Sequence, residues 1–349
     1  MNAAERALRR VDRFQQRHAA LAIPVAVVQK FGNDRAGAFA TRIAYQGLFA
    51  LFPLLLLLAT VLGLVLEDHP GLRRNVIDSA LRDFPVIGPE LRDAATPLDG
   101  GGIALAVGIL GTLYGALGLG HAAEAAMNTV WNVPRSQWPN FARRRLRSLA
   151  MMATIGVAII GSAVAGAAVS TLAWGRGPVA FLVSLLIDAV VFMGAFRVLT
   201  AARLSWSDVR LGALVAAVFW GTLKLIGEWY VDRVLRGAID VYGFFATVIA
   251  LLTWMYVAAQ LVLLAAEVNV VVDERLWPRS LTQPPLTVAD REVYRRLART
   301  SIRRPEYSVR LEFSGEADRD PLEQQSTGDS PDSFGGPGRV RPRARGARR

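Results

Sequence analysis

The sequence has no cysteine, almost no lysine and only three histidines among its 349 residues. Without cysteine there are no disulfides, thiolate zinc sites or iron–sulfur clusters. His18, His69 and His121 lie far apart and form no ligand-spaced set, so neither a metal nor a cofactor is expected. Lysine occurs only at Lys30 and Lys224, and the rest of the positive charge is arginine. No Walker loop is present, so the chain does not hydrolyse ATP. No nucleophile elbow is present either, and the reading is of a protein that is not an enzyme. Aromatic residues do not interleave with the basic stretches, so no specific nucleic-acid partner is expected.

What the chain does have is apolar bulk beside positive charge: 52% hydrophobic residues with a formal net charge of +11. A membrane protein reconciles the two by placing apolar helices in lipid and arginines in loops. A bilayer core needs about 20 apolar residues in a helix. Six stretches meet or approach that length: Ile43–Leu66, Ile103–Val130, Ser148–Trp174, Val179–Leu199, Val209–Val231 and Tyr242–Val272. Charges run throughout residues 1–42, and the first apolar run is longer than a signal-peptide core, so it reads as a retained span.

Loop charge gives the orientation. The N-terminal segment carries Arg6, Arg9, Arg10, Arg13, Arg17, Lys30, Arg35 and Arg42, whereas the loop Glu67–Gly102 is net acidic. Arg143, Arg144, Arg145 and Arg147 follow the second span, and basic and non-basic loops alternate from there to the Arg-rich tail. The positive-inside rule then predicts an all-α, polytopic six-helix bundle with both ends in the cytoplasm.

The expected organisation is a basic amphipathic segment over 1–42 and a transmembrane domain over 43–272 with an extracytoplasmic loop at 67–102. A basic appendage at 273–313 and a disordered polar tail at 314–349 complete it. Leu8, Val11 and Phe14 among arginines predict an interfacial helix on an anionic leaflet. Leu72, Val76, Ala80 and Leu81 predict a short amphipathic helix in the outer loop.

Ionisable residues inside spans are costly, so each is a site candidate. Asp188 falls mid-way along the fourth span, with Lys224 and Glu228 on the fifth, an arrangement suited to an intramembrane ion pair or a proton relay. On the second span Gly108, Gly111, Gly115 and Gly118 form a small-residue stripe for close helix packing, within one chain or between two copies. His121, Glu124, Asn128 and Trp131 share another face, which must look at protein or water. On the sixth span Thr253, Gln260 and Glu267 are heptad-spaced, with Asn269 close by. Glu124, Asn128, Gln260, Glu267 and Asn269 are therefore the expected polar cluster at the cytoplasmic mouth, and Arg143, Arg144, Arg145 and Arg147 the expected contacts of anionic lipid headgroups.

Four segments in order resemble the YihY/BrkB family of bacterial inner-membrane proteins, nearest its YhjD-like branch. They are Ile43-Ala-Tyr-Gln-Gly-Leu-Phe-Ala-Leu-Phe-Pro53; Glu124, Asn128 and Trp131-Asn-Val-Pro134; Leu204-Ser-Trp-Ser-Asp208 before Gly212-Ala213; and Tyr242-Gly-Phe-Phe through Trp254 and Tyr256 to Glu267-Val-Asn269. Gln46 departs from the pattern where a second aromatic is expected after Tyr45. The resemblance implies a six-helix protein of the bacterial cytoplasmic membrane, loosely tied to envelope integrity, serum resistance and transport. It also brings an old ribonuclease label, which the lack of any His/Asp ligand cluster argues against. The leading reading is a transporter or flippase of an envelope lipid or amphipathic solute, with membrane lipids as its partners. The alternative is a non-transporting scaffold or envelope-integrity factor that uses the outer loop and the tail as contact surfaces.

Overall fold

The computed structural model describes residues 3–65, 101–138, 146, 178–230, 233, 244–302, 304, 306 and 308–313. Among these there is no strand, and eight α-helices account for most of the chain: α1 (Ala3–Arg17), α2 (Ala19–Asn33), α3 (Ala36–Val65), α4 (Gly101–Val130), α5 (Pro178–Leu199), α6 (Trp206–Tyr230), α7 (Phe244–Asp273) and α8 (Val288–Thr300). Helices α4 to α7 are long and apolar enough to cross a membrane. Their positions, with that of α3, follow five of the six hydropathy-derived spans. The third span, Ser148–Trp174, lies outside the described residues, as do the outer-loop helix and the polar tail.

The long helices pack as a ring. Helix α3 lies against α4 and α7, α7 against α6, α6 against α5, and α5 returns to α4. Close approach of α3 and α4 rests on the glycine stripe. A Cβ added to Gly115 would stand 2.5 Å from the Ala50 Cα, and one on Gly111 would stand 2.7 Å from the Pro53 ring. A Cβ added to Gly118 would stand 2.5 Å from the Gln46 Oε1, so the Gln46 side chain is accommodated by the absence of a side chain opposite. Gly108 is buried on the same helix.

The outer surface of the ring is apolar: Tyr114 is 81% exposed, Phe245 75% and Leu110 68%. A water-soluble surface seldom carries such a continuous apolar belt, whereas a lipid-facing one requires it.

Several resemblance motifs are helix-end devices. Asn132 takes the left-handed conformation (φ 50°) after α4. The Val133 N–H returns to the Asn128 carbonyl and the Asn132 N–H to the Thr129 carbonyl, which closes the helix end before Pro134. Before α6, the Asp208 carboxylate accepts from the Ser205 N–H at 2.8 Å and from its hydroxyl at 2.6 Å. Both hold a negative charge at the helix's positive end.

Helix α1 exposes Leu8, Val11 and Phe14, while Asp12 and Gln15 are buried. Helix α2 packs on α7 through Ala22, Ala26 and Val27. The segment after α7, predicted as an appendage, docks on α1 and α2. Asp12 accepts hydrogen bonds from the Leu281 N–H at 2.9 Å, the Ser280 hydroxyl at 3.1 Å and the Thr282 hydroxyl at 3.2 Å. Arg279, 1% exposed, donates from Nε to Asp290 at 2.8 Å. With the Asn33 amide turned so that its oxygen faces Arg279, both Nη groups donate to it at 3.1 and 3.0 Å.

Candidate functional site

The most concentrated buried charge lies where α2, α4 and α7 meet. Lys30 belongs to the last turn of α2 and is 1% exposed, because its helix face also carries Ala22, Ala26 and Val27 against α7. Its ammonium donates to Asp34 Oδ2 at 2.6 Å, to Glu267 Oε2 at 2.7 Å and to the Val130 carbonyl at 2.6 Å. An ammonium has three protons, so all its donors are engaged. Val130 is the last residue of α4, where unmet carbonyls and the helix dipole favour a cation.

The acceptor side is not filled. Glu267 is fully buried, and its Oε1 and the Asp34 Oδ1 have no hydrogen-bond partner. One cation thus faces two carboxylates in a site closed to solvent. Burial of unbalanced charge is expensive, so a proton or a further cation would complete the balance. Such a junction can exchange a proton or ion, and it couples three helices whenever that balance changes.

The structure distributes the expected cluster more finely than its spacing implied. Glu267 joins Lys30. Glu124 is buried, 2% exposed, on the helix that supplies Val130. Asn128 uses its Oδ1 to accept the Ala201 N–H at 2.7 Å, tying α4 to the end of α5. Asn269 accepts the Gly212 N–H at 2.5 Å, tying α7 to α6 where the missing side chain of Gly212 admits it. Gln260 is half-buried and joins no hydrogen bond among the described residues, and Thr253 is exposed, so the heptad stripe of α7 is not a continuous polar path. His121 is exposed, unlike Glu124, Asn128 and Trp131, so only these three share the buried face.

Asp188 and Lys224 pair across α5 and α6 at 3.4 Å, both half-buried. Glu228 continues α6, and its side chain lies outside the described residues. Arg143, Arg144, Arg145 and Arg147 also lie outside them. Among the described residues no group of side chains is suited to hold a metal ion.

Sequence reasoning missed Lys30 and Asp34. Lys30 was counted with the loop charges of residues 1–42, although its i, i+4 spacing to Asp34 and its rarity were both visible.

A family model described as virulence factor BrkB matches residues 27–287, from α2 to the start of α8. The chain belongs to the BrkB/YihY family. It is 24% identical over 260 residues to a UPF0761 membrane protein of Alkalilimnicola ehrlichii, covering 71% of this chain and 57% of that one. It is 29% identical over 185 residues to a UPF0761 membrane protein of Ralstonia nicotianae, covering 50% of this chain and 41% of that one. It is 26% identical over 179 residues to the UPF0761 membrane protein YihY of Salmonella typhimurium, covering 48% and 59%. The chain thus spans about half the length of the curated relatives it matches. No solved structure matches it. Like its BrkB/YihY relatives, the protein is an integral membrane protein, and every residue of the Lys30 cluster falls within the family match.

Proposed function

We propose that this BrkB/YihY protein is a transporter or flippase for an envelope lipid or other amphipathic solute. It resides in the bacterial cytoplasmic membrane with both ends in the cytoplasm. The observation that carries the reading is the closed junction of α2, α4 and α7, where Lys30 is shared by Asp34 and Glu267 and one oxygen of each carboxylate has no partner. A structural clamp could meet the third ammonium proton with a neutral acceptor, whereas a second carboxylate adds a titratable group, and a coupling site needs a place for a proton or ion to arrive and leave. The proposal assigns no catalysis to the chain.

The test is flux in proteoliposomes that carry a pH gradient, with labelled envelope lipids as candidate cargo. Glu267→Gln retains the size and an acceptor oxygen for Lys30 but removes the titration. The expected result is an unfolding midpoint close to that of the wild-type protein, with flux lost and the remainder insensitive to pH. Wild-type flux and pH response in Glu267→Gln would overturn the coupling site. No movement of any lipid class by the wild-type protein would overturn transport and favour the scaffold reading, in which deletion of residues 67–102 or the tail abolishes function.

A further inference from the structure

Beside the buried junction lies a cavity of about 340 Å³ between the α2–α3 turn, the end of α4 and the end of α8. It is lined by Arg35, Arg42 and Arg135 together with Asp34, Phe39 and Trp138. We propose that this cavity is a binding site for a phosphate-class anion, either the headgroup of an anionic lipid or a free phosphate. The inference deepens the transport reading by giving the chemistry of the cargo's polar end. It rests on that reading only for what happens after binding.

Three observations carry it. First, the three arginines converge from separate parts of the chain. Arg35 sits at the α2–α3 junction with φ 53°, Arg42 lies two turns into α3, and Arg135 opens the turn after Pro134. All three are exposed, so the cavity is open to an incoming ligand. Second, none of the three guanidinium groups is paired with a carboxylate among the described residues. Asp34, the one acid in the lining, shares Lys30 with Glu267 and bonds it at 2.6 Å, so three guanidinium groups face a single carboxylate that is itself part-neutralised. Three unmatched cations around a small cavity form a field that an anion would settle, and the planar forks of arginine match the oxygens of phosphate. Third, most of the remaining wall is apolar or aromatic, and the Thr129 and Thr300 hydroxyls in it each donate to a backbone carbonyl of their own helix, at 2.9 and 2.7 Å. The Trp138 ring lies 5.9 Å from the Arg135 guanidinium, and its indole N–H is already bonded to the Val133 carbonyl. Such a wall suits the glycerol or first methylenes of a lipid but competes for no phosphate oxygen.

The size agrees, since ligand pockets begin at about 300 Å³. The α3 N-terminus also borders the space through Ala38 and Phe39, adding the positive end of a long helix. The Ser136 N–H donates to the Ile302 carbonyl, so the chain after α8 holds the far wall in place. Asp34 belongs to both the cavity and the Lys30 junction, and an anion bound here would lie next to the proposed coupling site.

The experiment uses the full chain in nanodiscs. In one arm the discs are phosphatidylcholine with a minor share of phosphatidylglycerol, and retained lipid is read by native mass spectrometry. In the other, inorganic phosphate is titrated calorimetrically into phosphatidylcholine discs. The variants are Arg42→Gln with Arg135→Gln, the single Arg42→Lys, and Arg210→Gln as an exposed arginine away from the cavity. Each arginine lost should weaken binding roughly tenfold, as for a charge-assisted hydrogen bond. Arg42→Lys should fall between wild type and Arg42→Gln, and it covers the case in which the double variant does not elute as a monodisperse particle.

Phosphatidylglycerol retained against millimolar phosphate, and lost in the double variant, supports the site with a lipid headgroup as its ligand. Saturable phosphate binding lost in the double variant supports it with the free anion. Wild type and double variant alike in both arms, or Arg210→Gln as damaging as the pair, overturns the site. Binding that depends on Arg42 and Arg135 in a protein without flux would sink the transport reading and leave the site standing.

Discussion

Replacing Lys30 with methionine keeps most of the length of the side chain and removes the one cation that Asp34 and Glu267 share among the described residues. Both carboxylate side chains are at most 1% exposed. Breaking a buried pair from one side costs about 3–5 kcal/mol, because the remaining charge is left uncompensated. The Val130 carbonyl also loses its donor at 2.6 Å, which adds about 1 kcal/mol. Lys30→Met should therefore destabilise the protein by about 4–6 kcal/mol, a large share of an ordinary folding free energy.

If the cost arises from stranded carboxylates, neutralising them should return most of it. Lys30→Met with Asp34→Asn and Glu267→Gln should recover to within about 2 kcal/mol of wild type, since buried ion pairs replaced by neutral groups of similar size are often near neutral. The assay is denaturant unfolding in detergent micelles followed by tryptophan fluorescence, which the eight tryptophans make practical. A single Lys30→Met variant within 1 kcal/mol of wild type would refute the claim that the site is closed and charged (about 1 kcal/mol being the scale of an exposed pair). A triple variant as unstable as the single one would show that packing, not charge, sets the cost.

Gly115→Ala should destabilise by about 1–3 kcal/mol, because its Cβ meets the Ala50 backbone at 2.5 Å. Gly221→Ala, with nothing within 4 Å, should be neutral or stabilising by about 0.5–1 kcal/mol, and equal effects of the two in thermal unfolding would contradict the helix approach. Burial alone would push the Asp12 carboxyl up, but hydrogen bonds from the Leu281 N–H and neighbouring side chains outweigh it and hold its pKa below 3.8. A depressed folded pKa contributes stability that is present above the unfolded value and lost as pH falls through the folded one. The unfolding midpoints of wild type and Asp12→Asn should therefore differ at pH 7, by about 1–3 kcal/mol in stability, and converge in acid; a gap that widens as pH drops would reverse the assignment.

The helices were legible because their signal is long and redundant. About 20 apolar residues are needed to span a bilayer, and hydropathy reports that average whatever each side chain touches. The glycine stripe of α4 was legible for a similar reason: its 3-4-3 spacing leaves one side of the helix without side chains, and α3 occupies that side. Single contacts carry no such redundancy. Glu124, Asn128, Glu267 and Asn269 are all buried, yet their spacing could not separate Asn128 and Asn269, which bind backbone N–H groups, from Glu267, which binds a cation. The mutual docking of the two flanks was beyond reach for the same reason, since Asp12 and Ser280 are brought together only by the packing of α2 on α7.

Lys30 is the instructive case, because its signal was compositional rather than periodic. In a chain whose other cations are arginines, lysine stands at two positions, and both are within helices beside a carboxylate: Lys30 with Asp34 and Glu267, Lys224 with Asp188. The geometry at Lys30 shows why arginine does not substitute there. Three acceptors converge on one point at 2.6 to 2.7 Å, which matches the three protons of an ammonium. A guanidinium instead spreads five donors over a plane and cannot bring three of them to one point. It is also longer and wider than a site closed to 1% exposure admits. Arginine serves the opposite need in the neighbouring cavity, where exposed, planar donors remain open to an anion from outside. Two cation chemistries thus lie on either side of Asp34, one sealed and saturated, the other open and unmatched, and it is the carboxylate between them that would report binding on one side to the charge balance on the other.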